Sequence, residues 1–326
     1  MNRGLLYLVS SIAPLVMGAK AGETPAPIKS HQSLEWAPGA SGQPVPLKTA
    51  EDWDRRRAAI VAGFEEAAGK LPSRENLPDL DVRVSERIET DRYVRETITF
   101  ASEEGDGTPA YLYLHKDLKP GEKRAGIVAL HPTGALGKGI VDGKGERPNR
   151  AYARELAERG HVVIAPDYLS FGDYKDYDFA ADRYESGTMK GIWNHMRCVD
   201  LLVSRPEVDP EKIASIGHSL GGHNAIFHGV FDRRVKVIVS SCGWTPLHDY
   251  YGGDLKGWTS DRYIPSIRDR YALDPDQVPF DYYELIAALA PAAFFSNSPL
   301  RDANFDWRGV EKVAPQARRI YELHGV

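Results

Sequence analysis

Cysteine is scarce: Cys198 and Cys242 are the two in 326 residues. That excludes a disulfide framework and a zinc site built on thiolates, and two unpaired thiols are expected. Neither sign of charge dominates. Lys and Arg number 41 against 46 Asp and Glu, a net charge of −5, so composition offers no basic surface for nucleic acid or an anionic membrane. Beyond the N-terminus no apolar run is long enough to span a bilayer. Internal repeats and low-complexity tracts are lacking too. The acidic stretch Asp173–Asp182 has neither the glycine nor the spacing of a calcium-binding loop. His218, His223 and His228 recur every five residues, which turns the direction on a helix by about 140°, so they do not converge on one ion. No catalytic metal and no organic cofactor are expected. His218 is expected to line a turn, and His223 and His228 to pack or face solvent.

What is present is ordinary globular composition, 42% hydrophobic and 27% charged, in a chain long enough for one large domain with additions. Arg3, the apolar run Leu5–Val16 and the Ala-x-Ala ending at Ala21 read as an export signal over residues 1–21. The expected location is secreted or periplasmic. Residues 22–47 are rich in Pro, Gly and Ser and read as a linker. Thr49-x-x-Asp52 resembles a capping box opening a helix that reaches Leu71. Trp53, Ile60, Val61, Phe64 and Leu71 form its apolar stripe, and Arg55-Arg56-Arg57 its solvated side. Alternating apolar and polar residues between 81 and 116 predict antiparallel strands. Helix and strands together make an N-terminal unit, residues 48–122.

From Ala125 the pattern changes to strand–helix alternation. "AGIVALH", "HVVIAPDY", "KIASIGH", "VKVIVSSC" and "PAAFFSNS" read as strands. "NRAYARELAERG", "GTMKGIWNHMRCVDLLVSRP", "LGGHNAIFHGVF" and "GVEKVAPQARRIYEL" read as helices, the last despite Pro315. This predicts an α/β fold: a mostly parallel sheet with helices on both faces. Right-handed crossovers bring the C-terminal ends of the strands to one edge, where sites of open α/β sheets form.

Gly217-His218-Ser219-Leu220-Gly221 falls between a predicted strand and a predicted helix, the setting of a nucleophile elbow. Such a turn strains the serine backbone and leaves no room for side chains at Gly217 or Gly221. A serine hydroxyl needs a base to take its proton. The helix after Ser219 aims free N–H groups at the site, and the Leu220 amide is the first oxyanion donor. The second is expected from the loop after "AGIVALH", at Thr133 or its neighbour Gly134.

With "LHPTG" at Leu130–Gly134, "APDY" at Ala165–Tyr168, "SRPEVDPEKIASIGHSLGG" at Ser204–Gly222, "DRRVKVIVSSCG" at Asp232–Gly243 and "SPLRDANF" at Ser298–Phe305, the chain resembles the α/β-hydrolase superfamily. More narrowly it resembles secreted esterases related to acetylxylan esterases and dienelactone hydrolases. The resemblance covers Lys123 to the end. Dienelactone hydrolases use a cysteine, and Ser219 departs from that, so ester hydrolysis is the activity carried over. The family order is Ser, acid, His. Asp302 falls where the family acid falls, with Asp306 in reserve.

Residues 243–283 hold nine aromatics and follow a strand's C-terminal end, so they read as a lid-like insertion over Ser219. Its rings suit sugar or aromatic esters, or else fill a small core of the insertion's own. Trp244, Tyr250 and Tyr251, with His131 and His218, are the expected substrate-binding residues. The substrate class implied is a small-molecule or polysaccharide ester, with acylated or feruloylated plant polysaccharide favoured by resemblance alone. A peptidase of the prolyl-oligopeptidase type is a second reading, though no propeller-sized domain is present. A non-catalytic carbohydrate-binding relative is a third.

The triad histidine is expected to be missing. After Asp302 the one histidine is His324, at the far end of a helix that travels roughly 22 Å away from the active edge. The family continues with a strand, a loop bearing histidine and a closing helix. The chain therefore reads as a C-terminally incomplete α/β hydrolase with an uncovered apolar sheet edge. A pseudoenzyme, or a replacement base at His131, His218 or His248, are the alternatives.

Overall fold

A computed structural model describes residues 31–326, so the expected export signal lies outside the described residues. The described part of the expected linker is ordered. It forms a small antiparallel pair, β1 (Trp36–Pro38) with β2 (Pro44–Pro46). Leu34, Trp36 and Ala37 are buried there, so apolar content outweighed the Pro and Gly signals. Helix α1 (Ala50–Ala68) starts at Thr49 with the expected capping box, reciprocated by Asp52. Its arginine run is not the solvated side. Arg56 is fully buried, bonds Glu284 at 2.7 Å and lies over the Trp36 ring. Arg57 reaches the carbonyls of Ala288 and Val230. The β1–β2 hairpin on one side and the main domain on the other bury Arg56 and leave Arg55 and Arg57 part-exposed.

Strands β3 (Arg83–Glu89), β4 (Tyr93–Glu103) and β5 (Asp106–His115) form the antiparallel block. The parallel block follows: β6 (Arg124–Leu130), helix α2 (Tyr152–Glu158), β7 (Val162–Pro166), α3 (Gly187–Ser204), β8 (Val208–His218), α4 (Leu220–Phe231) and β9 (Val235–Ser241). Two short helices, α5 (Ser266–Asp269) and α6 (Tyr282–Ala287), precede β10 (Ala293–Asn297), and α7 (Trp307–Leu323) closes the described chain. All eight larger strands share one sheet, in the order β10-β9-β8-β6-β7-β5-β4-β3. Pairing from β7 to β10 is parallel, as strand–helix alternation requires.

The helices divide unequally. Helices α1, α3, α4, α6 and α7 bury one face in a core that runs from Trp53 and Phe64 to Phe227 and Ile320. On the other face α2 seats Ala153 and Ala157 against Tyr113, Ile127 and Val163. That cover stops at β6. Beyond it, Ala214 and Ile216 of β8, Val237 and Val239 of β9, and Ala293 and Phe295 of β10 share a face. All six are part-exposed or exposed, Val237 by 41%. Among the described residues β10 pairs with β9 alone. Helix α7 tolerates Pro315 because that residue is exposed, while Val313, Ala317, Ile320 and Tyr321 keep a helical stripe buried.

Candidate active site

The candidate site stands on the C-terminal edge of the parallel block. Strand β8 ends at His218 and α4 begins at Leu220, so a single residue makes the turn. Ser219 has φ 53° and ψ −115°, a strained conformation for a side chain with a Cβ. Its N–H donates to the Ser241 carbonyl at 2.9 Å, and its own carbonyl accepts from Gly222 and His223. The flanking glycines are steric necessities. A Cβ on Gly217 would stand 2.0 Å from the Gly221 carbonyl oxygen, and one on Gly221 would stand 2.0 Å from that of Leu130. The turn lifts Ser219 to a part-exposed position. As the first residue of α4, Leu220 has no preceding turn to accept its N–H.

Strand β6 pairs with β8, Leu130 opposite Gly217, so the loop that starts at His131 lies beside the elbow. Thr133 is exposed in it, and neither the Thr133 nor the Gly134 amide is spent on another group among the described residues. The loop is tied at two points to the one after β7. Nε2 of His131 accepts from the Tyr168 amide at 2.9 Å. Farther on, the buried Lys138 and Asp167 form an ion pair, which Asp173 joins at 2.6 Å. Burial alone would lower the Lys138 pKa, but the attraction of Asp167 and Asp173 raises it.

His131 does not face the substrate side. It is 2% exposed, both ring nitrogens are engaged, and burial holds its pKa below the usual range. His218 does sit at the edge, part-exposed, with Nδ1 3.2 Å from the Ser241 hydroxyl. Burial and the positive charges of Arg150 and Arg147 bring it down to about 4, against the pull of Asp302. His223 and His228 are buried in the core, as packing residues. His248 pairs with Asp276, out in the insertion. His324 caps the end of α7, where Asp54 and Arg233 act on it. The α7 helix thus runs from Asp306, at the active edge, to Tyr321, which bonds Ala292 just before β10 begins. All ten histidines of the sequence fall within the described residues. None of them is hydrogen-bonded to Ser219 among the described residues.

The two acid candidates separate cleanly. One oxygen of Asp302 accepts from the Asn304 and Phe305 amides, and its charge is felt at Cys242 and His218. Asp306 is the N-cap of α7, bonded to the Arg308 amide. Cys242 is free, and burial pushes its thiol up to about 11, so it is a neutral neighbour rather than a nucleophile. The expected aromatic wall is mostly interior. Trp244 is 3% exposed and donates to the Ser296 hydroxyl. Tyr250 is buried against Trp258 and Phe305. Tyr251, 53% exposed, is the ring that reaches solvent. Trp244, Trp258 and Tyr282 belong to the main core, so the rings of residues 243–283 pack chiefly inward.

Sequence reasoning missed Lys138, Asp167, Arg150 and the row His218–Ser241–Asn297 across three strand ends. The Lys138–Asp167 pair spans 29 residues between two loops and leaves no periodic trace. Register could have found the row, since adjacent parallel strands ending together align their last residues. Among the described residues no cluster of His, Cys, Asp and Glu is arranged to hold a metal.

A family profile described as "Alpha/beta hydrolase family" matches residues 146–325. The protein YtaP of Bacillus subtilis is 25% identical over 79% of this chain and 85% of its own. 4-O-methyl-glucuronoyl methylesterase 1 of Wolfiporia cocos is 22% identical over 86% of this chain and 69% of its own. Among solved structures, a glucuronoyl esterase from Solibacter usitatus superposes with a TM-score of 0.64 at 20% identity, covering 94% of this chain and 86% of that one.

Proposed function

This chain belongs to the alpha/beta hydrolase family, and we propose that it is built to hydrolyse carboxylic esters carried on polysaccharides, with Ser219 as nucleophile. The observation that carries this reading is the strained, glycine-flanked turn at Ser219. The sugar-ester class rests on the names of relatives such as the Wolfiporia cocos methylesterase. Oγ of Ser219 adds to the ester carbonyl carbon as its proton passes to an imidazole base, which returns it to the departing alcohol oxygen. The carbonyl oxygen becomes an oxyanion between the Leu220 and Thr133 amides, where fixed dipoles act without reorganising. Collapse expels the alcohol and leaves an acyl-serine, which water hydrolyses in the reverse sequence. Asp302 orients and stabilises that imidazolium.

The imidazole itself is the part that the described residues do not bring to Ser219. That observation favours a second reading, a relative that keeps the fold and binds esters without turning them over. Added imidazole separates the two. Turnover of 4-nitrophenyl acetate and of a methyl glucuronate ester should be slow in buffer. Imidazole should raise it at least tenfold above the same solution containing Ser219→Ala, because losing one triad member leaves the oxyanion site intact. Equal rates for wild type and Ser219→Ala with imidazole would select the binding reading. Fast turnover without imidazole, abolished by both Ser219→Ala and His218→Ala, would make His218 the base.

A further inference from the structure

The loop between His131 and Lys138 is held from outside the elbow, and the hold is unusually costly to build. Two charged side chains, Lys138 and Asp167, are each 2% exposed. Taking such charges out of water is unfavourable unless every polar atom finds a partner. Here Asp167 is fully engaged. One oxygen accepts the Lys138 amide at 2.7 Å, and the other accepts Lys138 Nζ at 2.5 Å and the Asp173 amide at 2.8 Å. Lys138 Nζ also reaches Asp173. Gly137 and Gly172 close around the carboxylate. Both have positive φ, and a Cβ on either would stand 2.1 Å from an Asp167 oxygen. The Gly172 amide donates to the Ala135 carbonyl at 3.1 Å, inside the same loop. Between this clamp and the His131–Tyr168 contact, the Thr133 and Gly134 amides remain unspent beside α4.

We propose that Lys138 and Asp167 are positioning residues: their ion pair fixes the β6 loop so that the Thr133–Gly134 amides stand where the oxyanion of the Ser219 adduct forms. The proposal rests on the ester-hydrolase reading. The clamp touches neither substrate nor reacting atoms; it acts through the backbone between residues 133 and 137. An oxyanion donor is worth about a hundredfold to a thousandfold in kcat when removed. A donor that is loosened rather than removed should cost roughly ten- to a hundredfold, with KM little changed, because the ground-state carbonyl makes weak use of it.

The test compares wild type, the neutral pair Lys138→Met with Asp167→Asn, and the milder Asp173→Asn, which keeps Lys138 on Asp167. Arg56→Met serves as a control. It breaks another buried ion pair, with Glu284, between helices α1 and α6 rather than at the β6 loop. Turnover is read with imidazole present, and amide hydrogen exchange is read at residues 137–140, whose amides are bonded within the loop or to Asp167. The neutral pair should lower kcat by roughly ten- to a hundredfold with KM within twofold, and should speed exchange at 137–140. Asp173→Asn should do the same in smaller measure, which keeps the test open if the double variant folds poorly. Arg56→Met should lower the melting temperature without moving kcat. Unchanged kcat and exchange in the neutral pair and in Asp173→Asn would overturn the proposal, as would an equal kcat loss in Arg56→Met. If wild type itself shows no Ser219-dependent turnover, the hydrolase reading fails. Exchange at 137–140 then still decides whether the clamp orders the loop.

Discussion

Ser219 holds a conformation that costs of order 1–3 kcal/mol, and the two carboxylates beyond β10 show how neighbouring residues of one type divide their work. Asp306 serves α7 as a cap, bonded to the Arg308 amide, whereas Asp302 projects its charge toward His218 and Cys242. Asp306→Ala should therefore cost about 1 kcal/mol in urea unfolding and leave imidazole-assisted turnover within twofold. Asp302→Asn should lower that turnover by at least tenfold at little cost in stability. The reverse pattern would reassign the acid. At this scale the sequence is informative where chemistry and sterics coincide, as around Ser219, because no side chain fits at Gly217 or Gly221. It is uninformative about His131. A histidine in the loop beside a nucleophile looks like a site residue until its two nitrogens are seen on Pro132 and Tyr168.

Elements were legible in proportion to their periodicity. The strands from β6 to β10 and the helices between them follow from alternation of pattern, and α7 is found in spite of Pro315. What periodicity hides is which polar residues an element buries. Arg56 lies on α1 in a run that reads as solvated, yet it is matched by Glu284 of α6, itself fully buried. Arg56→Ala should destabilise by roughly 3–5 kcal/mol, since it takes the buried guanidinium from a carboxylate left with His31 and the Asp281 amide. Denaturant titration showing less than about 1 kcal/mol would mean that His31 is partner enough for the carboxylate. The sheet face of β8, β9 and β10 is the counterpart on the apolar side. Ile216, Val239 and Phe295 line up there without a covering helix among the described residues.

For the whole molecule the acid limb of stability is set by imidazoles in the core. His131, His195, His223 and His228 are all buried. Desolvation holds them low, His223 down to about 3 and His228 to about 4. The unfolded chain takes up these protons near pH 6.5 and the folded one does not, so their contribution is complete above about 6.5 and is lost as pH falls toward 4. For His228 alone this is about 3 kcal/mol. Asp281 opposes the trend. Burial raises it to about 7, so it protonates in the folded state first and adds stability as pH drops from 7 to 4. The histidines outnumber it, and the melting temperature should fall between pH 6.5 and 4. His223→Leu should flatten that fall, and Asp281→Asn should steepen it. A melting temperature independent of pH across this window would show that these rings are hydrated.

The aromatic stretch that follows β9 has a bearing on how such a protein can change its clientele. Trp258 touches His223 of α4, and Tyr282 stacks on Phe227 of the same helix. A module that could be exchanged wholesale would meet the body of the protein through a polar seam. This one shares its interior with α4, the helix that follows Ser219. Transplanting residues 243–283 from a relative would therefore remove structural timber along with the roof. Exposed tips such as Leu136, Tyr251 and Leu300 carry less of that load, so exchanges there leave the frame beneath them standing.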